Sequence, residues 1–150
     1  MFKEIKPVSP FELSRYLGTW YEIARLPAWF ERDLTNVTAT YSLKKNGMVK
    51  VENAGKKNGK PKIAIGKAKF AKETTVGYLK VAFFLSFYAD YKIIDLDTVN
   101  YQYAMVGSSY DYLWILCREP KLDKAILTAL IEKAQKLGFN TGNLYYTPQE

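Results

Sequence analysis

Between Thr19 and Arg118 the chain passes through short stretches in which apolar and polar residues alternate, each closed by turn-forming residues. Alternation with a period of two puts every second side chain on one face, so each stretch reads as a half-buried strand. Eight strands follow: Thr19 to Leu26, Val37 to Lys44, Met48 to Asn53, Lys62 to Ala71, Val76 to Phe84, Tyr91 to Leu96, Gln102 to Gly107 and Tyr112 to Arg118. Strands in this succession form an up-and-down antiparallel sandwich or barrel. Asn46-Gly47 reads as a tight hairpin, since both residues tolerate positive φ, and Asn58-Gly59 as a looser one. Twelve Tyr, eight Phe and three Trp suit an all-β fold, and 150 residues suffice for a single domain, 1–150, with its own core.

Two segments depart from this pattern. Pro27 to Asn36 is longer than a hairpin needs and carries Trp29 and Phe30, which marks it as a lid over one barrel opening. Beyond Pro120, Ile126, Leu127, Leu130, Ile131, Ala134 and Leu137 recur at helical spacing, with Asp123 as N-cap and Gly138 as C-terminal stop. One amphipathic helix therefore packs outside the strands, and Tyr145-Tyr146 form a short closing strand.

Lysines set the strand faces, because they do not point into a dry interior. Outward Lys67 and Lys69 turn Gly66, Ala68 and Phe70 inward, and outward Lys80 turns Gly77, Leu79, Val81 and Phe83 inward. The polar set Thr38, Thr40 and Ser42 leaves Val37, Ala39 and Tyr41 inside. Ala39, Gly66, Ala68 and Gly77 are small, which favours a hollow interior with room for one small ligand over a packed one. The sixth and seventh strands have no readable parity.

Enzyme chemistry has little to stand on. The chain has no histidine, hence no usual general base and few routes to a zinc site. Cys117 lies in an apolar run as a buried structural thiol, Asp95 and Asp97 serve turn geometry, and no phosphate loop or metal-ligand spacing is present. No cofactor and no metal are expected. The net charge of +7 is concentrated in Lys44, Lys45, Lys50, Lys56, Lys57, Lys60, Lys62, Lys67, Lys69, Lys72 and Lys80, opposed there only by Glu52 and Glu73. That face keeps sheet edges apart or attracts an anionic membrane surface; nucleic acid is not expected. No apolar run reaches the length of a signal peptide or a membrane span.

The segment Arg15-Tyr16-Leu17-Gly18-Thr19-Trp20-Tyr21-Glu22-Ile23-Ala24-Arg25 resembles the first signature of the lipocalins, a Gly-x-Trp opening the first strand. Tyr112 to Arg118 resembles the third, an arginine closing the last main strand before the helix. Phe30-Glu31-Arg32 and Val37 to Ser42 resemble the bacterial outer-membrane, apolipoprotein D-like branch; the second signature is altered to Thr98-Val99-Asn100-Tyr101, where Asn100 replaces the turn-forming Asp. The resemblance implies an eight-stranded barrel with one external helix. It makes Gly18, Trp20 and Arg118 structural residues, with Arg118 lying on Trp20 at the closed end. Parity agrees, placing Trp114, Leu116 and Arg118 inward with Trp20, Glu22 and Ala24.

The resemblance also implies a carrier of a fatty acid or lysophospholipid, acting in transport or storage for membrane maintenance. Tyr88 and Trp114 match pocket positions in the family, the inward Ala39, Tyr41, Ala68, Phe70, Leu79 and Phe83 line the barrel, and Trp29 and Phe30 close over the chain. Residence on the periplasmic side of the outer membrane is implied if a leader or lipidated Cys has been removed, and a soluble cytoplasmic body otherwise. Two alternatives stand beside the carrier: an enzyme of the same fold acting on a bound lipid or isoprenoid, and a docking module that uses the basic face. The residues give no reading of oligomeric state.

Overall fold

The computed structural model describes residues 4–83 and 88–150. All eight alternating runs form strands: β1 (Gly18–Arg25), β2 (Leu34–Leu43), β3 (Val49–Lys57), β4 (Lys60–Phe70), β5 (Tyr78–Ala82), β6 (Ala89–Leu96), β7 (Tyr103–Gly107) and β8 (Leu113–Cys117). The expected end of the fifth strand at Phe84 lies outside the described residues, as does the rest of the aromatic segment at 85–87. Each strand pairs antiparallel with the next, and β1 pairs with both β2 and β8, which closes the barrel. The short strand β9 (Tyr145–Tyr146) joins the second half of β1. A one-turn helix, α1 (Leu13–Tyr16), enters β1, and α2 (Lys124–Leu137) follows β8.

The apolar residues of this barrel form two clusters. Trp20, Tyr41, Val49, Val51, Ala68, Leu79, Ile93, Ala104, Val106 and Leu116 fill the interior. Ile94, Met105, Leu113, Ile115 and Cys117 face outward and are covered by Leu130 and Ala134 of α2. Asp123 accepts a hydrogen bond from the Ile126 N–H at 3.3 Å, and Gly138 ends the helix at φ 111°.

Three bulges break the period of two: one in β1, one in β2 between Thr35 and Thr38, and one in β6. In β1, Glu22 lies opposite Leu116 but Ala24 lies opposite Ile115 and Arg25 opposite Trp114. Ala24 therefore belongs to the outer cluster rather than the inward face expected for it, and Arg25 turns inward in its place. In β6, a shift between Ile93 and Asp95 leaves Ile93 and Leu96 inside with Ile94 outside, which is why parity could not be read there.

Other local expectations are also corrected. The tight two-residue turn is Asn58-Gly59, with φ of 54° and 77° between the paired Lys57 and Lys60. At Asn46-Gly47 only Gly47 is left-handed, and the Asn46 side chain accepts from the Met48 N–H at 3.0 Å. Strand register makes the difference, since it leaves one residue more in that loop. In the β6–β7 loop the turn-forming carboxylate is Asp97, which accepts from the N–H groups of Val99, Asn100 and Gln102. Asn100 does not take that part.

Gly77 and Gly66 leave no open space. A Cβ at Gly77 would come within 2.9 Å of the Val8 side chain, and one at Gly66 within 2.6 Å of the Ala82 carbonyl and 2.8 Å of the Phe83 ring. Their smallness admits neighbouring protein groups.

At the closed end the Arg118 guanidinium lies 3.8 Å from the Trp20 ring centroid. Its nitrogens donate to the carbonyls of Tyr101 (3.1 Å), Thr19 (3.2 Å) and Arg15 (2.8 Å). Trp20 donates its indole N–H to the Tyr16 carbonyl at 2.8 Å and has no exposed surface. Trp20→Ala is expected to cost about 3–5 kcal/mol, the range for truncating a buried aromatic. Arg118→Met, which keeps apolar bulk, is expected to cost about 1–3 kcal/mol. Urea denaturation measures both, and unchanged midpoints would show that the barrel does not depend on this end.

Candidate ligand-binding site

The inside of the barrel has three zones. Its floor is a chain of phenols: Tyr91 shares hydrogen bonds with Tyr16 (2.6 Å) and Tyr41 (2.8 Å). Burial pushes all three up, Tyr41 to about 12, so they stay neutral at physiological pH. The cavity beside them, bounded also by Leu13, Val49 and Ala68, is about 10 Å³. That is room for roughly one water.

Above the floor the wall is apolar, with Ala39, Val81 and Phe83 packed against the core, while Phe70 lies at floor level, in register with Leu79 and Tyr91 and 6.2 Å from the Phe11 ring. Ligand pockets generally measure about 300–1,000 Å³. Among the described residues the space beside the phenols is far smaller than that, and the Val8 side chain and the Phe83 ring pack against the small residues Gly77 and Gly66.

The mouth carries buried charge. The bulge in β1 brings Arg25 beside Glu22, and the lid supplies Glu31 from a short 3-10 turn at Trp29–Glu31. Arg25 donates to the Glu22 carboxylate at 2.6 Å, lies 3.5 Å from the Glu31 carboxylate, and donates to the Glu31 carbonyl at 2.8 Å. Trp114 donates its indole N–H to Glu31 at 2.7 Å, and Thr147 donates its hydroxyl to Glu22. Two carboxyl groups thus face one guanidinium. Burial, then the hydrogen bond and charge of Glu31, hold the Glu22 carboxyl well above the usual range. Aromatic contacts continue the attachment of the lid: Phe30 packs on Tyr112 (5.9 Å), which stacks on Trp114 (6.0 Å).

Comparison with known proteins completes this geometry. The sequence profile of the lipocalin-like domain matches residues 11–149. The chain is 46% identical to the outer membrane lipoprotein Blc of Vibrio cholerae over 153 aligned positions, covering all of this chain and 90% of that protein. It is 42% identical to the Escherichia coli K12 protein of the same name, covering 95% and 81%. Mouse apolipoprotein D is 32% identical, covering 93% and 77%. The chain is a lipocalin.

Among solved structures, insecticyanin of the tobacco hornworm superposes with a TM-score of 0.80 at 21% identity, covering 98% of this chain and 85% of that one, a likeness of fold. Membership of this family makes the lipocalin a small-hydrophobic-ligand-binding protein of the bacterial, apolipoprotein D-like branch. Of the residues singled out in its sequence, Ala39, Tyr41, Ala68, Phe70, Leu79, Phe83 and Trp114 meet in the interior. Trp29 and Phe30 contact each other edge to face at 5.6 Å on the exposed rim. Tyr88 does not join them: its ring lies 4.3 Å from the Lys69 ammonium and 5.8 Å from that of Lys67, on the outer side of β4. Strand alternation places Tyr91 inside in its stead. Tyr16, Arg25 and Glu31 were missed; a glutamate and an arginine three apart in a strand point to opposite faces, and only the bulge unites them.

Asp95 accepts from the Leu96 N–H and pairs with Lys133 of α2, and burial pushes the Cys117 thiol up, away from a nucleophilic state. Among the described residues no three His, Cys, Asp or Glu side chains converge to hold a metal.

The mouth cluster gives a signed pH dependence. Because the native pKa of Glu22 exceeds its unfolded value near 4.5, the folded state binds the extra proton between the two. Its contribution to stability is complete below that unfolded value and is lost as pH rises through the native one, with a slope of up to about 1.4 kcal/mol per pH unit. Glu22→Gln is expected to remove this slope. Urea midpoints measured across pH for both proteins check it, and an unchanged slope in the variant would assign the effect to another group.

Proposed function

We propose that this lipocalin carries a fatty acid or lysophospholipid, with the acyl chain in the barrel and the polar head at the mouth, for transport or storage in membrane maintenance. The observation that carries this reading is the apolar wall of Ala39, Val81 and Phe83 between a neutral phenol floor and a charged rim. Such a profile matches an amphiphile lengthwise, and burial of hydrocarbon at roughly 25 cal/mol per Å² supplies the affinity. Phe83 sits where the chain would run, and its displacement by the acyl chain exchanges one apolar contact for another. The reading is non-enzymatic. Relatives named as outer membrane lipoproteins support residence at the outer membrane, and we place the protein on its periplasmic side.

Titration of tryptophan fluorescence with fatty acids and lysophospholipids, with native mass spectrometry of gently purified protein, tests the proposal. Binding tighter than about 100 μM is expected, a modest threshold of about 5–6 kcal/mol. Phe83→Ala is expected to tighten binding severalfold by removing the group that must move. If no amphiphile binds below that threshold to either protein, the carrier reading fails.

A further inference from the structure

The β3–β4 hairpin departs from the rest of the barrel wall. Every residue of β4 from Lys60 to Ile65 is exposed, on both faces, so this part of the hairpin stands clear of the packed interior. Its outward rows, set by register, place Ile63 beside Ala54 and Ile65 beside Glu52. The two isoleucines are 64% and 56% exposed. Leu34 pairs with Lys57, so the hairpin tip leaves the barrel at the same end as the lid, where Trp29 and Phe30 are 73% and 47% exposed.

Single exposed apolar residues need no explanation. Four large ones at one end of a barrel do, because none of them contributes its full burial to the fold. Their frame is basic: residues 50–69 hold seven lysines against one carboxylate, Glu52. Lys50 lies 3.9 Å from Glu52, and Lys67 and Lys69 face the Tyr88 ring. Lys56, Lys57, Lys60 and Lys62 make no ion pair among the described residues. Guarding a sheet edge explains the lysines but not the isoleucines between them.

We infer that the projecting β3–β4 hairpin, together with Trp29 of the lid, is a docking surface for an anionic lipid bilayer. Ile63 and Ile65, in the outward row with Lys56 across from Pro61, enter the boundary of the acyl region, while Lys57, Lys60 and Lys62 extend their ammonium groups to the lipid phosphates from the other face of the projecting tip. A nucleic acid would use the charge and leave the isoleucines in water. The choice of a bilayer over a protein rests on the carrier reading, since a carrier loads and unloads where its mouth meets a membrane.

Vesicle co-sedimentation of the whole chain tests the inference, using phosphatidylcholine alone and phosphatidylcholine mixed with phosphatidylglycerol. Partition onto the anionic vesicles is expected, weakening as salt is raised. Ile63→Thr with Ile65→Thr keeps β-branching in the strand, and Lys56→Glu with Lys60→Glu and Lys62→Glu reverses charge. Each set is expected to lower partition by at least about tenfold, with the urea midpoint and the fatty-acid titration unchanged. Full partition by both variants, or equal partition onto neutral vesicles, would overturn the inference. So would wild-type self-association in sedimentation equilibrium that disappears in the isoleucine variant, which would assign the patch to a second copy. Failure of the carrier reading would register separately, as a flat fatty-acid titration beside intact, patch-dependent vesicle binding.

Discussion

The stacking of Arg118 on Trp20 closes one end of the barrel, and the rest of the molecule is arranged around it. A guanidinium is planar and weakly hydrated, so it can give its face to the indole and its edges to three backbone carbonyls at once, which a lysine cannot do. Those carbonyls belong to Arg15, Thr19 and Tyr101, so one side chain from the end of β8 joins the entering chain, β1 and the β6–β7 loop. Gly18 is part of the same contact. Its φ is 101°, and a Cβ there would sit 3.3 Å from the guanidinium. Arg15 repeats the device on the surface, stacking 4.3 Å from the Tyr101 ring centroid while donating to the carbonyls of Thr98 and Val99.

The opposite end is held by a different balance. Glu22, Arg25 and Glu31 are all buried, and removing ions from water costs several kcal/mol each unless they are paired and hydrogen-bonded. One guanidinium faces two carboxyl groups, and the Glu22 carboxyl is held above its usual range. It joins the β1 wall to the lid, to Trp114 of β8 and, through Thr147, to the segment after β9. That segment fills the seam where β1 and β2 diverge: the Thr147 N–H donates to the Ile23 carbonyl, and the Gln149 amide donates to the carbonyls of Glu22 and Val37. The lid is thus tied by polar contacts to parts of the barrel that meet only in the closed fold.

Interior parity was legible where lysines or threonines marked the outer face, as at Lys67, Lys69 and Lys80. It failed where the ladder carries an extra residue, as at Ala24 and in β6. Small inward residues misled for another reason. Ala39 and Ala68 do line the interior, but Gly66 and Gly77 are small because Phe83, Ala82 and Val8 press on them. A missing side chain in a sequence leaves open whether space or a neighbour replaces it. Tyr88 lies in an aromatic run, which reads as a pocket wall, yet strand alternation sends it onto the lysines outside and Tyr91 to the floor.

By itself the sequence determined the strand count and the external helix with its Asp123 and Gly138 ends, while its resemblance to the lipocalins implied the pairing of Trp20 with Arg118. The first two are encoded by local periodicity and by capping residues, and the third by a family signature. Only the tertiary structure decided which residues share the mouth and how much room the barrel keeps. Those depend on a one-residue bulge in β1, on a lid that folds back over it, and on close packing between segments distant in the chain, none of which leaves a periodic trace.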